Sequence, residues 1–93
     1  MQIKLERARN DGLSSADCSA AEAAIKAALL ERYGSDCAIV DAYLAHERRL
    51  RTGDPAAENG ADSWSRAANA ALASCNDLFA GWRQAPALFF SVI

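Results

Sequence analysis

The residues with the greatest capacity for chemistry lie together in residues 46–51, which read His-Glu-Arg-Arg-Leu-Arg. An arginine guanidinium binds a phosphate or a carboxylate through two parallel hydrogen bonds, which supply both affinity and orientation. We therefore predict that Arg48, Arg49 and Arg51, the arginine cluster, are partner-binding residues. The alternative is that these cations gather at a helix C-terminus because the helix dipole favours them there, with Glu47 pairing with Arg51.

Catalytic residues are harder to find in the chain. His46 is the single histidine, which excludes any site that needs two imidazoles. A serine or cysteine nucleophile paired with His46 is compatible with the sequence, although the spacing selects none. Asp54, Glu58 and Asp62 share a loop without the alternating spacing of a calcium-binding loop, so we interpret them as solvating charges. We therefore predict no enzyme activity, no cofactor and no metal site.

A DNA-binding helix-turn-helix is the first nucleic-acid motif to consider. The skeleton of its turn, Ala-x-x-x-Gly-apolar-Ser, is matched by Ala8, Gly12, Leu13 and Ser14. The helix that follows opens with residues 15–22, which offer no Arg, Lys, Asn or Gln to bond a base edge. DNA binding through this turn is therefore not expected. The alternative to a protein partner is a small nucleic-acid-binding regulator that uses the arginine cluster.

Residues 86–93, Pro-Ala-Leu-Phe-Phe-Ser-Val-Ile, form a strongly apolar stretch. Exposed to water, such a stretch would promote aggregation, so we expect it to be covered. It either folds back over the helices, as a strand paired with residues 2–6, or docks into another copy of the chain or another protein. The first arrangement is preferred. Its large apolar residues are further predicted partner-binding residues: Leu88, Phe89, Phe90 and Ile93.

Length and composition are those of one folded domain spanning residues 1–93. An apolar fraction of 52% with a net charge of -2 argues against a disordered chain and against a polyanionic partner. The N-terminus is charged and no apolar run reaches the roughly 18 residues that span a bilayer, so we expect neither a secretion signal nor a membrane partner. Three cysteines without CxxC spacing favour reduced thiols and a cytoplasmic location. The excess of alanine, and of arginine over lysine, is typical of GC-rich bacterial or phage genomes.

Capping residues and glycines divide the chain into predicted helices. The predicted boundaries, from the first long helix to the last, are Ser14 to Gly34, Ser35 or Asp36 to residues 52–53, and Asp62 or Ser63 to Gly81 or Pro86. Residues 53–61 are predicted to be a loop because they contain Asp-Pro and Asn-Gly pairs. Residues 2–10 are either a short helix or a strand.

The predicted fold class is all-α: a compact bundle of three or four helices, with the apolar C-terminal segment packed on it or on a partner. The alanine content and the scarcity of β-branched residues favour helices over strands. Apolar residues recur at helical spacing, and those expected in the core are Ile25, Leu29, Tyr33, Tyr43, Trp64, Leu72, Phe79 and Trp82. Cys37 and Cys75 are expected to be small core residues close to each other.

These observations favour a non-catalytic protein-protein interaction module: a small accessory subunit, adaptor or inhibitor of a larger protein. The positive support comes from the arginine cluster and from the apolar C-terminal stretch. The expected partner is another protein, or further copies of the chain in a homo-oligomer. A small core lined with alanine buries little apolar volume on its own, which also favours association.

Overall fold

Helices make up most of the residues that the computed structural model describes, which are residues 1–6, 12–84 and 87–93. The elements in chain order are β1 (Ile3–Leu5), α1 (Ser15–Tyr33), α2 (Asp36–Arg51), α3 (Pro55–Glu58), α4 (Ser63–Ala73), a 3-10 helix (Asn76–Phe79) and β2 (Phe90–Val92). The mainly helical prediction is confirmed. In addition to the helices, β1 and β2 pair into a small two-stranded sheet, which the all-α class does not include. None of the helices in these described segments has both the length and the apolar character needed to cross a membrane.

The first two long helices begin and end at their capping residues. The Ser14 hydroxyl accepts a hydrogen bond from the backbone N–H of Asp17 at 3.1 Å, which starts α1. Gly34, with φ at 86°, adopts the left-handed conformation that ends α1. The Ser35 hydroxyl then accepts from the N–H of Ala38 at 3.2 Å and starts α2. These predicted boundaries are confirmed, because capping depends on residues within one helical turn.

The predicted loop over residues 53–61 contains the short helix α3. The Asp54 carboxylate accepts a hydrogen bond from the N–H of Ala56 at 3.0 Å. Pro55 occupies the start of the helix, where a missing backbone N–H costs no intrahelical hydrogen bond. The Asp-Pro pair therefore starts a helix here instead of marking an irregular loop.

The helix α4 is shorter than predicted, because it ends at Ala73 and does not reach Gly81. The Ser74 hydroxyl donates to the backbone carbonyl three residues earlier, and a turn leads into the 3-10 helix. Residues 74–77, Ser-Cys-Asn-Asp, include side chains that compete with helical backbone hydrogen bonds. Trp82 consequently lies outside the core with 41% of its surface exposed, so its predicted core position is wrong.

The strands β1 and β2 form an antiparallel pair. A strand is one of the two arrangements predicted for residues 2–10, and residues 7–10 lie outside the described residues. Leu5 donates its backbone N–H to a carboxylate oxygen of Glu22 in α1 at 3.2 Å. This bond uses a group on the edge of β1 that faces away from β2, and it ties the sheet to α1.

Trp64 lies at the centre of the aromatic packing. Its ring centroid is 6.1 Å from that of Tyr33, 5.5 Å from that of Tyr43 and 6.4 Å from that of Phe90. The predicted core residues that are buried are Ile25, Leu29, Trp64 and Phe79, and those that pack against them half-buried are Tyr33, Tyr43 and Leu72. Several alanines of α1 and α4 are also buried, which lets these two helices pack closely.

The cysteines divide between the core and the surface. Cys18 and Cys75 are buried, whereas Cys37 is exposed. Burial raises the pKa of the Cys75 thiol. Cys37 lies in the first turn of α2, and its predicted core position is wrong because the buried face of α2 is the one that carries Ile39.

Candidate functional site

An open groove of about 500 Å³ lies between α2, α4 and the residues that lead into β2. Its apolar lining residues are Tyr43 and Leu50 of α2, Trp64, Ala68 and Leu72 of α4, and Leu88, Phe89 and Phe90 beside them. Its polar lining residues are Glu6, His46, Glu47, Ser65, Asn69 and Ser91. Leu50 and Phe89 also reach the protein surface, with exposed fractions of 38% and 41%. A concave surface that combines apolar side chains with convergent polar groups is typical of a binding site.

The predicted partner-binding residues of the C-terminal segment differ in exposure. Leu88 is buried, and Phe90 packs on Trp64 with the ring centroids 6.4 Å apart. Phe89 and Ile93 have 41% and 66% of their surface exposed. Phe89 and Ile93 therefore present apolar surface to the outside, whereas Leu88 and Phe90 stabilise the fold.

The structure separates the three residues of the arginine cluster. Arg49 donates two hydrogen bonds to one carboxylate oxygen of Asp62, from Nε at 3.1 Å and from a terminal nitrogen at 2.8 Å. Arg48 and Arg51 are exposed on the same helical face as Leu44, which is 48% exposed. Successive residues of a helix are about 100° apart, so neighbouring arginines face different directions. Arg48 and Arg51 therefore face the outside, while Arg49 connects α2 to α4.

Asp62 holds the N-terminus of α4 against α2. One carboxylate oxygen accepts from the backbone N–H of Ser65 at 3.0 Å, and the other lies 2.6 Å from Nδ1 of His46. Burial alone would raise the pKa of Asp62, but hydrogen bonds from His46, Ser65 and Arg49 outweigh it and hold that pKa well below its usual range. The interpretation of Asp62 as a solvating charge is wrong, because the residue is 8% exposed and serves three donors.

The proton position of His46 is set by Asp62. An ionised carboxylate only accepts hydrogen bonds, so Nδ1 of His46 carries a hydrogen and donates a hydrogen bond to Asp62. Within the described part of the chain, no hydrogen bond joins His46 to a serine hydroxyl or a cysteine thiol. The same described residues contain no group of three His, Cys, Asp or Glu side chains placed to hold a metal ion. The contact between His46 and Asp62 therefore joins two helices and does not complete a nucleophile-base pair.

Two carboxylates, those of Glu6 and Glu47, are among the polar groups that line the groove. Burial, the neighbouring Glu47 carboxylate and the charge of Glu6 raise the pKa of Tyr43 to about 12. The described residues that line the groove include no lysine or arginine. Sequence analysis did not identify this groove, and the four-residue spacing of Tyr43 and Glu47 on α2 is the one local signal for it.

No protein-family model matches the sequence, and no curated protein or solved structure matches the chain. The function is therefore inferred from the groove, from the exposed residues around it and from the contacts that hold it together.

Proposed function

We propose that this chain is a non-catalytic protein-interaction module, a small accessory subunit, adaptor or inhibitor, that holds a segment of a partner protein in the groove. The observation that carries this proposal is the groove of about 500 Å³ whose lining includes two exposed apolar residues, Leu50 and Phe89. Covering apolar surface is favourable by about 25 cal/mol for each Å² removed from water. A partner that fills the groove would gain this contribution from both side chains.

A second exposed surface, on α2, has the composition of a protein interface. Leu44 is 48% exposed on the helical face that also carries the exposed Arg48 and Arg51. Aromatic residues and arginine are enriched at protein interfaces, where a few of them contribute most of the binding energy. Binding should therefore depend most on Phe89 of the groove and on Arg48 and Arg51 of this second surface.

Fewer side chains support the alternative function, nucleic-acid binding. Binding of a polyanion depends on the number of phosphates that a protein neutralises. Arg49 is already bonded to the Asp62 carboxylate, which leaves Arg48 and Arg51 of the arginine cluster for phosphates. We therefore treat nucleic-acid binding as an outcome that the experiment on the protein partner must distinguish.

The proposal is tested by capturing the partner and then measuring its affinity for surface variants. The bait carries an N-terminal tag and the lysate is treated with nuclease, so that captured proteins are not joined through nucleic acid. Phe89→Asp and Leu50→Asp should each weaken binding of the captured protein by about tenfold or more, which corresponds to about 1.4 kcal/mol. Leu78→Asp is the matched control, because Leu78 is 45% exposed and does not line the groove.

Unchanged affinity of both groove variants would overturn the proposal. Recovery of nucleic acid from an untreated lysate, with binding that falls as salt rises and is lost in Arg48→Glu, would favour the nucleic-acid alternative. Circular dichroism of each variant must match that of the wild type, so that a loss of binding is not a loss of fold.

A further inference from the structure

The charged groups around the groove are distributed unevenly. Two carboxylates, those of Glu6 and Glu47, line it, and the described lining residues include no lysine or arginine. Arg49 is held by the Asp62 carboxylate. His46 also lines the groove, and its Nδ1–H donates a hydrogen bond to that same carboxylate. The other charged side chains of the described lining are therefore carboxylates, which favour a positively charged ligand.

The walls of the groove add a second attraction for a positive charge. Tyr43, Trp64, Phe89 and Phe90 all contribute to its lining. The ring centroids of Tyr43 and Trp64 lie 5.5 Å apart, and those of Trp64 and Phe90 lie 6.4 Å apart. A cation within about 6 Å of an aromatic centroid is attracted by the negative face of the ring, most strongly where water is displaced. Rings and carboxylates in one groove therefore favour the same kind of ligand.

Glu47 lies one helical turn after Tyr43 on α2, and both residues line the groove. A carboxylate has about four lone-pair sites, so it accepts several hydrogen bonds at once. A guanidinium or ammonium group in the groove would supply donors to the Glu47 carboxylate.

We infer that the partner segment places a basic side chain, from an arginine or a lysine flanked by apolar residues, in the groove against Glu47 and the surrounding aromatic rings. This inference rests on the proposed function, because it names the chemistry of the segment that the groove holds. The apolar flanks would cover Leu50 and Phe89, and the charged group would meet the carboxylate.

The inference is tested by nuclear magnetic resonance titration of the isotope-labelled full chain with three blocked tripeptides. The probes are Leu-Arg-Leu, the neutral analogue Leu-citrulline-Leu and the acidic Leu-Glu-Leu, each acetylated and amidated and each used at millimolar concentration. The arginine peptide should shift the resonances of Tyr43, Glu47 and the Trp64 indole. It should bind about five- to tenfold more tightly than the citrulline peptide, because only the guanidinium is charged.

Two matched variants separate an effect of the groove from an effect of total charge. Glu47→Gln keeps the size of the side chain but removes the charge. It should reduce the affinity of the arginine peptide to that of the citrulline peptide. Glu31→Gln removes an equal charge from the exposed surface of α1, outside the groove, and should leave the affinity unchanged.

Three outcomes would overturn the inference. Equal affinities for the three peptides, with shifts in the groove, would show that the groove binds apolar segments without selecting a cation, and the proposed function would survive. Tighter binding of the acidic peptide would contradict the assigned chemistry. Absence of shifts in the groove with any peptide would reject the groove as a site for basic side chains, while the proposed function is still tested separately by the Phe89→Asp and Leu50→Asp affinities.

Discussion

Nδ1 of His46 lies 2.6 Å from the Asp62 carboxylate, so a side chain near the end of α2 holds the residue that caps the start of α4. Arg49 bonds to the same oxygen from one turn of α2 further on. Tyr43 and Leu50 of α2, and Trp64 and Leu72 of α4, line the groove, and the rings of Tyr43 and Trp64 are in edge contact. The contact between His46 and Asp62 therefore helps to hold together the two helices that line the groove.

Removal of the Asp62 carboxylate should destabilise the protein strongly. Asp62→Ala leaves the cationic Arg49 and the His46 N–H without their acceptor, and loss of one partner of a buried charged contact costs about 3–5 kcal/mol. Asp54→Ala is the control, because Asp54 also caps a helix but is only half-buried. That substitution should cost about 1 kcal/mol. Urea denaturation of both variants measures these free energies of unfolding, and equal values would contradict the role assigned to Asp62.

The stability of the protein should fall in acid because of Asp62. The pKa of Asp62 in the folded protein is held below its usual range. The ionised carboxylate therefore stabilises the folded protein at any pH at which Asp62 of the unfolded chain is also ionised. This contribution is fully present above about pH 4, the ordinary pKa of an aspartate, and is lost as the pH falls further. In Asp62→Asn the free energy of unfolding should change less between about pH 5 and pH 2 than in the wild type. Parallel curves for the two proteins would be the contrary result.

The three cysteines should differ in their reaction with a thiol reagent. In the folded protein Cys37 is exposed, whereas Cys18 and Cys75 have 6% and 1% of their surface exposed. One thiol should therefore react rapidly under native conditions, and the other two should react at the rate at which the protein opens. The fast reaction should disappear in Cys37→Ser. Rapid modification of two or three thiols in the native state would mean that the described core is not formed.

The two tryptophans should contribute unequally to stability. Trp64 packs against three other aromatic rings and is 5% exposed, so Trp64→Ala should lower the free energy of unfolding by about 3–5 kcal/mol. Trp82 is 41% exposed, and among the described residues its ring contacts that of Phe79 alone, so Trp82→Ala should cost about 1 kcal/mol. Thermal and chemical denaturation measure both values. If Trp82→Ala lowered the free energy of unfolding more than Trp64→Ala, the result would contradict the structure and support the longer last helix predicted from the sequence.

The features that the sequence predicts depend on residues close together in the chain, whereas those it does not predict depend on contacts between distant residues. The caps at Ser14 and Ser35 and the glycine at Gly34 act within one helical turn, so the boundaries of α1 and α2 followed from local pattern. The partners of Asp62 are 13 and 16 residues away, and their contact depends on the packing of two helices. The sequence therefore indicates that Asp62 caps a helix, but it does not indicate that Asp62 is a buried hydrogen-bond acceptor.

The end of α4 shows a second limit. Apolar spacing continues beyond Ala73 to Trp82, and this pattern alone predicts a longer helix. The Ser74 hydroxyl bond and the 3-10 turn that follows decide the outcome, because they change the direction of the chain where the periodicity would continue. The groove itself depends on that change, since Leu88 and Phe89 then return beside α4.

The central claim is that the groove is the surface that binds a partner protein, and site-specific photo-crosslinking in cells that encode the chain tests it most directly. A photoreactive amino acid replaces Phe89 in the groove or, as the control, Leu78, which is also exposed but lies outside it. We expect one defined adduct with a single protein from position 89, suppressed by excess unmodified chain, and no such adduct from position 78. The same adduct from both positions, or an adduct from position 78 alone, would contradict the assignment of the groove as the binding surface.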